Sequence, residues 1–320
     1  MLAFLQQNVV PKVPLEDWTK SFVSYVESNF RGLFDVVRGA IKLLVNVFEA
    51  ILAAPPELVM VAVLAAIALF LAGWRVAVFS VLGFLLILSL GLWKNAMDTL
   101  ALVLASAVVA LALGIPLGIL AAKSRTAEAA ARPTLDIMQT MPAFVYLVPM
   151  VVFLGLGEGP ALVATVIFAM PPAVRLTMLG IQQVPKNTVE AAQAFGATSW
   201  QTLRKVELPQ ALPTIMAGVN QVIMLALSMV VIAALSGAGG LGNIVIRGLS
   251  QLNVGQAFVG GVGIVIIAIN LDRVTRRLDR IARREKRGKR VVSKILPRKK
   301  TEPDNLGTAG AKAGTGGVSP

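Results

Sequence analysis

Apolar residues fill seven stretches of this chain, at about 57–73, 76–92, 95–122, 135–155, 160–180, 214–235 and 257–272. A helix crossing a bilayer needs roughly 20 mostly apolar residues. Inside lipid the backbone must satisfy its own hydrogen bonds, so each stretch is expected to be helical. The pattern predicts an all-α, polytopic membrane protein with about seven transmembrane helices. Polar or Gly/Pro-marked breaks separate the stretches: Pro55-Pro56, Gly73-Trp74-Arg75, a polar loop at 123–134, the turn GLGEGP at 155–160 and a Gly-rich connector at 236–256. Within the third stretch, Gly114 and Gly118 permit close helix contact and Pro116 is expected to kink the span. Pro171-Pro172 is expected to interrupt the fifth.

Ahead of the first span the pattern changes. Residues 1–30 are mixed and polar, whereas from about 30 to 54 Asp35, Arg38, Lys42, Asn46 and Glu49 recur every three or four positions. Val37, Ile41, Leu44, Phe48 and Ile51 occupy the other faces. This predicts an amphipathic helix lying along the membrane surface. The opening MLAFLQQNVVPKVP lacks a basic n-region and a proper apolar h-region, which predicts no cleavable signal peptide. The domain reading is an N-terminal extracytoplasmic tail with an interfacial helix (1–56), a transmembrane domain (57–272) and a basic tail (273–320).

Composition sharpens this. Apolar residues make up 56% of the chain and mean hydropathy is +0.75, well above the range of soluble domains. Cysteine and histidine are both absent, which removes disulfides, thiolate chemistry and nearly all transition-metal sites. Of the net charge of +13, the stretch Arg273–Lys300 supplies fourteen Lys/Arg against Asp279 and Glu285, a net of +12. An excess gathered in one tail excludes a uniformly basic nucleic-acid-binding surface. Residues beyond Pro297 carry few large apolar groups and are expected to be disordered. The basic stem 273–290 reads as a topology anchor that could also pair with membrane lipids through anionic headgroups. Lys/Arg in the short loops (Arg75, Lys123, Arg125, Arg132, Arg175, Lys186, Arg204, Lys205) mark one side as cytoplasmic, placing the N-terminus outside and the C-terminus inside.

One polar segment stands apart, EAAQAFGATSWQTLRKVELP at 190–209. Glu190 to Ala194 favours a helix, Gly196 allows a sharp turn, and Thr198-Ser199 can cap a second helix at about 199–207 that should stop at Leu208-Pro209. Such a pair of short helices can insert into a partner's groove and carry a push into the membrane. Ala191 and Ala192 keep one face small, and Glu190 offers a charge. Glu190, Ala191, Ala192, Gly196, Val206, Leu208 and Pro209 together resemble the EAA signature of membrane subunits of ABC importers. Val206 departs from the isoleucine more common there. The similarity continues through MQTMPAFVYLVPMVVFLGLGEGPALVATVIFAMPPAVRLT and LSGAGGLGNIVIRGLSQLNVGQAF, and over roughly residues 57–280 the chain is similar to permease subunits of glycine betaine/L-proline importers.

That resemblance implies the type I ABC importer permease fold, with 187–213 as the loop that couples to the ATPase. It implies cytoplasmic ABC ATPase subunits, an extracytoplasmic substrate-binding protein and a second permease subunit, as a homodimer, in a bacterial-type inner membrane. It further implies osmoprotection as the purpose, with no enzyme activity or cofactor in this chain and ATP used by the partner. Nucleic acid is not among the expected partners.

Other signals point elsewhere and are weaker. Gly237-Ala238-Gly239-Gly240-Leu241-Gly242 matches G-x-G-x-x-G, but a dinucleotide site needs a βαβ unit and an acidic residue about twenty positions on. No acidic residue occurs between Gly242 and Asp272, so a flexible loop is the expectation. No G-x-x-x-x-G-K-[ST] loop occurs, so energy must come from a partner or a gradient. Asp98, Asp136, Glu158 and Asp272 fall near span ends, which argues against a buried acidic relay of the proton-coupled kind. Arg175 is read as snorkelling to the interface rather than lining a vestibule. Phe144, Tyr146, Phe153 and Phe168 are read as packing rather than as a cation–π cage. The alternatives are the same fold carrying choline or an amino acid, an ion-coupled secondary transporter, and an osmotically gated channel.

Overall fold

The computed structural model describes residues 14–295, with side chains for residue 14 and for 16–276; expectations for the first residues and for the tail beyond Pro297 lie outside this range. Among the described residues the chain is all-α: α1 Leu15–Ala53, α2 Glu57–Ala72, α3 Trp74–Ser89, α4 Trp93–Lys123, α5 Arg125–Thr140, α6 Ala143–Leu154, α7 Glu158–Gln182, α8 Lys186–Ala194, α9 Ser199–Thr202, α10 Leu208–Ser228, α11 Val230–Ala234, α12 Gly240–Ser250 and α13 Val254–Ile295. A five-residue π turn, Leu203–Glu207, joins α9 to α10. The described residues up to Arg283 form one compact unit, and within the second the stretch 284–295 is helical.

Five of the seven expected spans each coincide with one helix, whereas 135–155 is shared by α5 and α6 and 214–235 by α10 and α11; length and hydropathy divide them further. Four stretches are long and apolar enough to cross a membrane alone: Trp93–Lys123, Glu158–Gln182, Ser199–Ser228 and Val254–Arg276. Two further candidates are bent pairs, α1 with α2 at 100° and α5 with α6 at 93°. The expected span 135–155 is therefore broken. The polar α5 meets the apolar α6 at Met141-Pro142, where both residues are extended (ψ 132° and 138°).

The prolines behave differently from expectation. α4 runs through Pro116, and α7 is uninterrupted through Pro171-Pro172. Both prolines of the pair are buried, and packing from α4 and α10 on either side of α7 holds the helix together where backbone hydrogen bonds are missing. Small residues let these three helices approach. A Cβ at Gly114 would stand 2.7 Å from that of Ala173, and one at Gly118 would stand 2.6 Å from that of Thr177. Gly180 likewise faces Ala211, with 3.2 Å between an added Cβ and the alanine's own. This is the close contact anticipated for Gly114 and Gly118.

α1 begins at Leu15, earlier than the pattern suggested, with a non-helical residue at Phe30. Its second half packs on the core: Val45 is fully buried, and the Phe34 ring stacks on Phe153 at 4.7 Å between centroids. The Gly-rich connector is not a flexible loop, because Gly240–Ser250 is helical. Gly240 has φ +78° and the Leu241 N–H donates to Thr99 Oγ1 at 2.8 Å. The glycine spacing here serves packing of α12 on α11 and α4.

Candidate coupling site

Contacts between helix ends sort the polar groups there into two sets. At one end Glu49, Lys94, Asp98 and Glu158 line a single cavity of about 240 Å³. At the other, Lys123 meets Glu207 and Glu128 meets Gln182. The polar segment singled out in the sequence belongs to this second end.

Lys186–Ala194 forms its first helix and has no buried residue. The chain turns at Gly196, whose φ of +82° lies in the region that only glycine enters at little cost. The Ala197 N–H donates to the Ala192 carbonyl and the Gly196 N–H to the Gln193 carbonyl, closing the helix end. Thr198 then builds a capping box with Gln201: the Gln201 N–H donates to Thr198 Oγ1 (3.3 Å), and the Thr198 N–H donates to Gln201 Oε1 (2.9 Å). Two short helices result, held at a fixed turn.

The expected stop at Leu208-Pro209 does not occur. The Leu208 N–H donates to the Leu203 carbonyl, an i to i−5 step, so the helix takes one residue extra and continues into α10. Pro209 then lies in the first turn of α10, where its missing N–H is tolerated. π turns of this kind occur often at functional sites. The second helix of the segment and the span that follows are thus one continuous rod, Ser199–Ser228.

Of the residues singled out, Glu190, Ala191, Gly196 and Pro209 are exposed, while Ala192, Val206 and Leu208 are half-buried. They share one surface element, yet the largest side chains on it are two that the motif does not include. Phe195 is 93% exposed and Trp200 66% exposed, on either side of the Gly196 turn. Aromatic side chains in an otherwise polar segment were the available signal. Beneath the surface lies Glu207, only 5% exposed, which pairs with Lys123 at the last turn of α4. Nothing local marks that pair.

Arg175 neither stands free nor simply snorkels. Its Nη2 donates to Asp136 Oδ1 at 2.5 Å and its Nη1 to Gln139 Oε1 at 2.7 Å, tying α7 to α5. At the opposite end, Asp98 and Glu158 do come together, with Glu49 from α1 and the cation Lys94. Among the described residues no carboxylate group is arranged to hold a metal ion. Phe153 packs against Phe34, and Tyr146 and Phe168 share a small apolar cluster, consistent with packing roles; Phe144 is exposed.

Comparison with known proteins bears on the fold and the family. Residues 114–284 match the family model described as binding-protein-dependent transport system inner membrane component. The chain is 48% identical over 271 residues to the glycine betaine/proline betaine transport system permease protein ProW of Escherichia coli (strain K12), covering 85% of this chain and 77% of that one. It is 46% identical over 269 residues to the glycine betaine transport system permease protein OpuAB of Bacillus subtilis (strain 168), covering 84% and 95%. A solved structure of the MetNI methionine ABC transporter in an inward facing conformation aligns with TM-score 0.54 at 25% identity, over 60% of this chain and 95% of that one. With its helical architecture, its exposed paired-helix segment and these relatives, the chain belongs to the family of binding-protein-dependent transport system inner membrane components.

Proposed function

We propose that this chain is the membrane-spanning permease subunit of an ATP-driven importer of glycine betaine and related compatible solutes. The observation that carries the reading is the exposed pair of helices at 186–202, rigidly joined through the π turn to the rod that ends at Ser228. A partner ATPase that grips Phe195 and Trp200 and moves on hydrolysis would displace α10 directly, and would displace α4 through Lys123 and Glu207. Glu190, Ala191, Ala192, Gly196, Val206, Leu208 and Pro209 are the residues assigned to this coupling. Rocking α4 and α10 against α7 would open the path alternately to the two sides. The chain itself binds no cofactor in this scheme, and ATP is consumed by the partner.

The coupling end then faces the cytoplasm, in keeping with the Lys/Arg distribution of the short loops. The cavity end faces outward, where a substrate-binding protein would dock, with the N-terminus outside and the C-terminus inside. A second copy of this chain completes the translocation path as a homodimer. Glycine betaine as cargo rests on the names of the two relatives that cover most of the chain.

The test is uptake of labelled glycine betaine into proteoliposomes holding this chain, its cognate ATPase and its binding protein, with and without internal ATP. Proline and choline serve as competitors. Saturable uptake that requires internal ATP is the expected result. Hydrolysis stimulated by the binding protein without betaine movement would retain the permease and reject the cargo. Uptake indifferent to ATP would overturn the proposal.

A further inference from the structure

A cleft of about 530 Å³ lies between the α2–α3 turn and α13, lined by Arg75, Val76 and Phe79 of α3 and by Ile269, Arg273 and Arg276 of α13. We propose that this cleft is a specific seat for an anionic phospholipid, its phosphate held by the three guanidinium groups and its acyl chain laid along the apolar side chains.

Position is the first argument. α2 starts beside Trp93 and Lys94 at the cavity end of the molecule, so the turn at Gly73-Trp74 lies at the coupling end. Arg273 and Arg276 fall at the end of the apolar stretch Val254–Arg276. The three cations therefore sit where helices leave the hydrocarbon and meet headgroups. Phe70 and Trp74, next to the cleft, are 85% and 66% exposed, which marks this flank of the molecule as one that faces lipid.

Charge is the second. Arg276 Nε donates to Asp272 Oδ1 at 2.6 Å, which leaves the rest of its fork of donors available. Among the described residues neither Arg75 nor Arg273 has a carboxylate within ion-pairing distance. Arg75 instead lies over the Trp74 ring at 5.6 Å. Among the described residues, three arginines face one carboxylate and give the cleft a net positive charge, and guanidinium groups suit phosphate because they donate in pairs. The third argument is the cleft's mixed chemistry, since each helix brings both arginine and apolar side chains to it. A soluble anion would use the arginines alone, whereas a lipid also uses Val76, Phe79 and Ile269. Basic pockets between membrane helices take lipid headgroups in this way.

The experiment is native mass spectrometry of the full-length protein released from membranes, with lipid exchange against phosphatidylglycerol, phosphatidylcholine and inorganic phosphate. The wild-type chain is expected to retain phosphatidylglycerol through delipidation. Arg273→Gln/Arg276→Gln should weaken that retention by about tenfold, the scale set by losing charge-assisted contacts to one phosphate. Phosphatidylcholine should exchange freely in both. Equal retention by wild type and variant, or equal retention of the two lipids, would overturn the proposal. Displacement of phosphatidylglycerol by inorganic phosphate alone would assign the cleft to a soluble anion and overturn it as well. Should the variant fail to fold, a photoreactive phosphatidylglycerol on the wild-type chain decides: labelling within 72–79 and 269–276 supports the seat, and labelling confined to other helices or to the tail after residue 276 rejects it.

Discussion

Lys123, at the last turn of α4, pairs with Glu207, a carboxylate buried in the π turn that opens α10. The exposed paired-helix segment is thereby fastened to two spans at once, to α10 through the backbone and to α4 through this ion pair. Lys123→Ala is predicted to leave Glu207 buried without its cation. Breaking a fully buried pair costs about 3–5 kcal/mol. The side chain of Lys123 is 41% exposed, so water screens the contact and a loss of about 1–2 kcal/mol is expected. ATP-driven uptake should fall more than ATP hydrolysis does. The exchange Lys123→Glu/Glu207→Lys should recover most of the uptake. If the exchanged protein is as poor as either single variant, the pair has no transmitting role.

Gly196 turns the paired-helix segment at φ +82°, with no neighbour within 4 Å of the place a Cβ would occupy. A substitution there meets only backbone strain, about 1–2 kcal/mol. Gly196→Asn should be tolerated better than Gly196→Val, since asparagine enters this region more readily. Gly196→Asp and Glu190→Lys are expected to insert normally and still lose coupling. Normal ATP-dependent uptake in both would remove the coupling assignment from this segment.

Gly118 lies where α4 crosses α7, and an added Cβ would stand 2.6 Å from Thr177 Cβ and 2.7 Å from the Val174 carbonyl oxygen. Gly118→Ala is predicted to destabilise by roughly 1–3 kcal/mol through overpacking. Gly32 in α1 has nothing within 4 Å, so Gly32→Ala should be neutral or stabilise by up to about 1 kcal/mol. Thermal unfolding of the two variants in one detergent checks the difference. Equal midpoints would place the α4–α7 contact elsewhere.

Ser80 and Asn270 join α3 to α13 by a hydrogen bond from Ser80 Oγ to Asn270 Oδ1, with both side chains buried. Ser80→Ala leaves that oxygen without its donor and is predicted to cost about 1–3 kcal/mol. Ser89, an exposed serine on the same helix, donates to the Leu86 carbonyl one turn back. Ser89→Ala should therefore change the midpoint little. A comparable loss in both would mean the buried pair contributes nothing beyond helix propensity.

Much of this was legible in the residue order. Apolar stretches placed the spans, since a helix in lipid has to satisfy its backbone within itself and to be long enough to cross. Gly196 and Thr198 placed the turn and the cap, since both act through hydrogen bonds to near neighbours. The prolines were misleading for a related reason. Pro171-Pro172 lacks two donors, and a local reading breaks the helix there, but packing on both sides of α7 keeps it whole. At Pro209 the extra residue of the π turn carries the helix past the expected stop.

The chain's order alone determined the helical class, the succession of apolar stretches and the paired-helix segment, all of which depend on interactions between residues a few positions apart. Tertiary structure alone decided that Lys123 faces Glu207, that Glu49, Asp98 and Glu158 share one cavity, and that three arginines from two distant segments line one cleft. Those meetings depend on which helix ends pack together, and packing is chosen by side-chain shape across the whole bundle rather than by any spacing along the chain.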